Sequence, residues 1–126
     1  MTGAPVRVFP TPNAIGEEVA ARLLNRIEQA RVAGRSFLLG APTGRSPKPV
    51  FTAMARRLAS QPRDLSHVVF VMMDEYLVPD GGRLQYAPDD APWSCHWFGR
   101  EEIASQLNAT LAPKQQLRAD SLWFPD

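Results

Sequence analysis

Two short stretches of the chain carry residue types whose chemistry is complementary. The first is Asp74-Glu75, an acidic pair placed directly after His67 to Met73, the most apolar run of the sequence. Carboxylates where a buried strand surfaces suit a catalytic or binding role, which falls here to Asp74. The second is Ser36 to Pro47, in which an apolar run ends at Gly40 and turns through Pro42, Thr43 and Gly44 into Arg45, Ser46 and Pro47. This reads as strand, tight loop and helix start, with Ser46 expected to cap the first turn and Pro47 at the first helical position. The free amides of such a turn, backed by the helix dipole, make a seat for a phosphate or carboxylate. Each stretch also has a plainer reading. Gly, Pro, Ser and Thr serve any strand-to-helix turn, and an acid after an apolar strand also caps a turn or solvates the exit. The loop is neither the Walker pattern, lacking a lysine after the second glycine, nor the dinucleotide pattern G-x-G-x-x-G.

These stretches require elements to hold them. Val6 to Phe9 is short and β-prone, and Thr11-Pro12 reads as a cap and first helical residue. Ile15, Val19, Leu23 and Ile27 then recur every four residues, the pattern of an amphipathic helix that runs to Arg31 and stops at Gly34. Phe37-Leu38-Leu39 is expected as a strand buried on both faces. Val50, Met54 and Leu58 predict a second helix, ending before Pro62. His67 to Met73 predicts the next strand. In an open parallel sheet ligands bind outside the carboxyl ends of the strands, so the loop after Gly40 and the acid after Met73 are expected on one rim. Leu77 to Pro92 is an irregular loop by composition, of a length that often forms a lid. Trp93, Trp97 and Phe98 fall at helical spacing, continued by Ile103, Leu107 and Leu111, and read as packing. His96 reads as a surface or packing histidine, with a place beside the rim as the alternative. Ser121 to Pro125 reads as a fourth strand. The expected fold class is therefore α/β, a Rossmann-like open, mainly parallel sheet with flanking helices, truncated after the fourth strand.

Composition narrows the class further. At 126 residues, 44% hydrophobic and 21% charged, the chain has the balance of one globular domain. A net charge of +1 calls for neither a nucleic-acid nor a membrane partner. The N-terminus has no long apolar stretch of the kind a signal peptide or membrane span needs. Cys95 is the single cysteine, which excludes an internal disulfide and makes the cytoplasm the default compartment. His67, Cys95 and His96 lack the paired spacings of a zinc site, so no metal is expected.

Leu39 to Pro47, LGAPTGRSP, and Val68 to Pro79, VVFVMMDEYLVP, together with Trp93-Ser94-x-x-x-Phe98, resemble the N-terminal half of the glucosamine-6-phosphate deaminase (isomerase) and 6-phosphogluconolactonase superfamily. The resemblance implies that residues 1–126 form the N-terminal portion of a single sugar-phosphate isomerase-type domain, about half of a family member. It implies a phosphosugar held by Thr43, Gly44, Arg45 and Ser46. Asp74 would carry a proton between C2 and C1 through an enediol-like intermediate, supported by Glu75, with no metal or organic cofactor. Asp-Glu-Tyr at 74–76 is similar to the deaminase branch, whereas lactonases more often have arginine where Tyr76 stands. Arg45 departs from the deaminase loop, which commonly has a second glycine there. The residues implied for ring opening and acid-base work beyond Asp74, and a later lysine implied for the phosphate, have no counterpart before Asp126. The piece alone is therefore expected to be inactive, and to associate with a C-terminal half, associate with itself, or be stable only in part. A lactonase-type hydrolase and a non-catalytic sugar-phosphate sensor are the alternative expectations.

Overall fold

The computed structural model describes residues 3–126. Its first element is α1, Pro12–Val32, which starts where the sequence signals it: the amide of Ala14 donates to Thr11 Oγ1 at 3.1 Å, and Pro12 occupies the first turn without wasting a donor. Gly16, Ala20, Leu24, Ile27 and Ala30 form its buried stripe, and Arg31 pairs with Glu28 near its negative pole. Strand β1, Phe37–Ala41, follows, then α2, Lys48–Ser60, which buries Phe51, Ala53, Met54 and Leu58 against α1 and the sheet. Strand β2, Val68–Met72, runs parallel to β1 in a register that sets Phe37 beside Val68 and Ala41 beside Met72. Because the two strands end side by side, the chain segments leaving them emerge on one rim. This register positions the whole site.

The loop after β2 contains a hairpin of β3, Leu77–Asp80, and β4, Arg83–Tyr86. Its two-residue turn uses Gly81 and Gly82, both at positive φ, the geometry a right-twisted hairpin requires. The irregular segment expected for Leu77 to Pro92 is thus partly ordered as strands. Helix α3, Cys95–Trp97, continues without a break into a π-helical stretch, Phe98–Ser105, and α4, Gln106–Asn108. Ile103 and Leu107 are fully buried on it, and the Phe98 ring packs at 6.3 Å from Phe51, which lies 6.3 Å from Phe70 of β2. Turns at Pro113–Gln115 and Ala119–Ser121 lead to β5, Leu122–Trp123, which pairs in parallel with β2.

The α/β class and the parallel sheet with flanking helices hold, but several expectations are corrected. The sheet has three strands in the order β1-β2-β5, not four. Val6 to Phe9 forms no strand: Val6 and Val8 are 85% and 91% exposed, and Arg7 is drawn away to Glu18 and over the Phe9 ring. The expected strand at Ser121 to Pro125 shrinks to two residues, since Ser121 belongs to the preceding turn. Strand β1 is not buried on both faces. Phe37, Leu39 and Ala41 face the helices, while Leu38 is 57% exposed and Trp123 of β5 51% exposed on the strands' other side. The apolar run read as doubly buried therefore has one face without a cover. Among the described residues, no helix is long and apolar enough to cross a membrane.

Candidate functional site

The rim is built from the two strand exits. After β1 the chain passes through Thr43, Gly44, Arg45 and Ser46, with Gly44 at φ 98°, a left-handed conformation that side chains resist. Helix α2 begins later than expected, at Lys48. Pro47 stands at the cap in a helical conformation, and Ser46 makes no capping bond. Pro47 and Pro49 have no amide, and the amides of Lys48, Val50 and Phe51 donate to the carbonyls of Arg45 and Pro47. The first turn of α2 therefore has few donors left to offer. Among the described residues the amides of Gly44, Arg45 and Ser46 donate to no protein acceptor, so the donors free to meet an anion lie in the loop itself.

At the β2 exit the two carboxylates have different surroundings. Asp74 is exposed. The Glu75 side chain is fully buried and accepts four hydrogen bonds: the Tyr76 amide at 2.8 Å and the Cys95 amide at 2.9 Å on Oε1, the His96 amide at 2.9 Å and His96 Nδ1 at 2.5 Å on Oε2. Burial by itself pushes this carboxyl up, but the donors outweigh it and hold the pKa down at about 2. A carboxylate ionised at neutral pH only accepts, so the proton of this pair resides on His96 Nδ1. The other side of the His96 ring stacks on Phe124 at 3.8 Å. Glu75 thus ties the start of the helical segment 95–108 to the end of β2, aided by Ser94, whose Oγ accepts from the Trp97 amide at 3.0 Å. His96, read from the sequence as a surface or packing residue with a place beside the rim as the alternative, is the partner of Glu75 at the rim.

Cys95, delivered by that anchor, stands between the two exits. Its thiol donates to Asp74 Oδ1 at 3.8 Å, and Thr43 Oγ1 lies 3.6 Å from the same sulfur. Burial pushes the thiol above its ordinary value and the charges of Glu75 and Asp74 add to this, against the Thr43 hydroxyl, so it stays protonated at neutral pH. Beside it opens a cleft of about 210 Å³, walled by Thr43, Gly44, Arg45 and Lys48 on one side and by Tyr76 and Trp93 on the other. The Tyr76 and Trp93 rings meet edge to face at 5.9 Å. Thr43, Gly44 and Arg45 of the expected anion loop line this cleft, and Ser46 does not. Asp74 is outside the lining and reaches it through Cys95. Lys48 was not singled out by sequence reasoning, and Trp93 and Cys95 were read as packing and as a lone cysteine rather than as parts of a site. The signal for the helix start was present at Ser94, a capping residue ahead of Trp97, whereas nothing in the sequence marks Lys48. Among the described residues no group of three or more His, Cys, Asp or Glu is placed to hold a metal ion.

No family model matches the chain. It is 32% identical over 96 residues to the glucosamine-6-phosphate deaminase of Cronobacter sakazakii, an alignment covering 74% of this chain and 33% of that protein. It is 33% identical over the same length, with the same coverage, to the glucosamine-6-phosphate deaminase of Erwinia tasmaniensis. The chain therefore spans about a third of the curated relatives it matches, less than the half its motifs suggested. In fold it is similar to a monomeric glucosamine-6-phosphate deaminase of the NagB superfamily, with a TM-score of 0.65 and 16% identity, over 92% of this chain and 40% of that structure. Shared sequence over most of its length and a shared fold agree, and over that length the chain is similar to the glucosamine-6-phosphate deaminases.

Proposed function

We propose that this chain supplies the phosphate-binding loop and the general base of an enzyme that converts an amino-sugar phosphate to a ketose phosphate and ammonia. The observation that carries this reading is the contact of one buried sulfur, Cys95 Sγ, with both Thr43 Oγ1 and Asp74 Oδ1, because it couples the anion loop to the acid at a single cleft. A phosphosugar gripped at one end by the loop presents its other end to a fixed point, and such positioning lowers a barrier by several kcal/mol. In this reading the amides of Gly44 and Arg45, with the Thr43 hydroxyl, hold the phosphate in the cleft, and Ser46, outside the lining, offers its free amide from the far end of the loop. Asp74, the exposed carboxylate that accepts only the long bond from the Cys95 thiol among the described residues, takes the proton from C2 and returns it to C1. Glu75 is a positioning residue that fixes the helix carrying Cys95.

The same reading assigns the bare sheet face a cover. Parallel sheets are normally packed on both sides, and Leu38 and Trp123 lie on the open one. We place there the polypeptide that supplies the remainder of the fold in the relatives. The test is to produce the chain alone and together with the remaining two-thirds of the Cronobacter sakazakii deaminase, supply glucosamine 6-phosphate, and assay ammonia and fructose 6-phosphate. Turnover is expected only with both pieces, falling about 100- to 10,000-fold in Asp74→Asn. Unchanged turnover in that variant removes Asp74 as the base. Hydrolysis of 6-phosphogluconolactone in place of ammonia release overturns the deaminase reading.

A further inference from the structure

We propose that the outer edge of β4 is a docking strand for a second copy of this chain, the two β4 strands pairing antiparallel about a two-fold axis at Gln85. The β3-β4 ribbon is closed by the two-residue turn Gly81-Gly82. In such a hairpin the pair flanking the turn, here Asp80 and Arg83, is hydrogen-bonded, and hydrogen-bonded pairs then alternate with open ones. The Ala87 amide donates to the Tyr76 carbonyl at 2.8 Å, which continues the same alternation past Val78 and Gln85. The backbone groups of Leu77, Pro79, Leu84 and Tyr86 therefore point to the free edges of the ribbon. On β3 that edge is blunted, because Pro79 has no amide. Nothing blunts β4. Among the described residues β3 is its only neighbour in the sheet, Arg83 to Tyr86 are all exposed, and Leu84 and Tyr86 each offer a donor and an acceptor.

The side chains favour the same pairing. The register puts Leu77, Pro79, Leu84 and Tyr86 on one side of the ribbon, a side with no charge, and all four are exposed. A two-stranded ribbon by itself is marginal in water, and three or more strands with an apolar side are needed to stabilise it. A second copy supplies them. With Gln85 opposite Gln85 of the second copy, Leu84 stands opposite Tyr86 of that copy and exchanges both backbone hydrogen bonds with it, and the symmetric pair does the same. Aliphatic and aromatic side chains then meet across the seam on the apolar side. Charge complementarity points to the same occupant. Arg83 opens β4 and Asp89-Asp90 follow its end, all three exposed, so antiparallel copies bring the base of each toward the acids of the other. The net charge of +1 adds little repulsion between copies. A seam of one four-residue strand per copy is far smaller than a standard interface of about 20 to 30 residues a side, so the dimer is weak and reversible.

The experiment measures the average mass of the 126-residue chain by sedimentation equilibrium from about 1 μM to 1 mM. The wild-type chain is expected to pass from monomer toward dimer across that range. Gln85→Lys and Gln85→Glu alter an exposed side chain and should leave the melting temperature in place. Each sets like charges against one another at the axis and should weaken the dimer about tenfold. Mixing the two variants in equal amounts should restore association, because unlike charges then stand opposite. Leu38→Ser combined with Trp123→Ser, on the open face of the main sheet, should leave the dimer unchanged. A wild-type chain that stays monomeric throughout overturns the proposal. So does a dimer that Gln85→Lys leaves intact, one that mixing the two charged variants fails to restore, or one that the change at Leu38 and Trp123 abolishes.

Discussion

The exits of β1 and β2 lie side by side and are finished in opposite ways. At the end of β2, Glu75 is buried and every direction of its carboxylate is met by a donor from Tyr76, Cys95 or His96. At the end of β1 the loop is exposed, its three amides are unspent, and its cations face a cleft. The first arrangement is structural, since a fully satisfied buried network holds one geometry. The second leaves hydrogen-bonding capacity where an anion would complete it. The contrast also separates Asp74 from Glu75: neighbours in sequence, they divide into one acid that holds the rim and one that faces out from it.

Substitutions at the two exits should therefore act on different properties. The largest effect on stability is expected for Glu75→Gln, about 3 kcal/mol by urea denaturation, because an amide both loses the charge and points hydrogens at donors. A loss below about 0.5 kcal/mol would erase the distinction between the exits. The second prediction is a pH dependence of similar size. Glu75 has its folded pKa depressed from 4.5 to about 2, so its contribution is complete above about pH 4.5 and is lost as pH falls toward 2. At about 1.4 kcal/mol per tenfold change in proton affinity, the loss approaches 3 kcal/mol. Glu75→Gln should flatten that part of the stability profile. On the other exit, Gly44→Ala should cost about 1 to 2 kcal/mol from its left-handed backbone alone, since no atom lies within 4 Å of an added methyl. A smaller loss, measured in the same denaturant series, would show that the loop relaxes. Smallest is Asp74→Asn, expected to change stability by no more than about 0.5 kcal/mol. A larger change would place Asp74 with Glu75 among the structural acids.

What was legible in the sequence was local or periodic. Thr11-Pro12 and the four-residue spacing of Ile15 to Ile27 located α1 because a cap and a stripe are both written in consecutive residues. The adjacency of the two exits followed from two apolar strands separated by one helix. The hairpin was legible in principle from Asp80-Gly81-Gly82-Arg83, but its short strands are largely exposed and have no apolar alternation to announce them. The Ser46 cap failed because prolines at 47 and 49 shift the helix start to Lys48, a competition between two start signals that composition does not rank. The role of Glu75 was not legible in detail, since its partners Cys95 and His96 lie about twenty residues away and meet it only once the helical segment 95–108 has packed beside β2. The open sheet face escaped for the same reason: an apolar strand states that it can be buried on both sides, not whether this chain supplies both covers.

The central claim is that the two exits serve one ligand. It is tested most directly by recording the backbone amide spectrum of the isotope-labelled chain while glucosamine 6-phosphate is added. The account predicts that the amides of Gly44, Arg45 and Ser46 shift together with those of Tyr76 and Cys95, along one saturation curve. Shifts confined to one exit, or two groups that saturate at different concentrations, would contradict it.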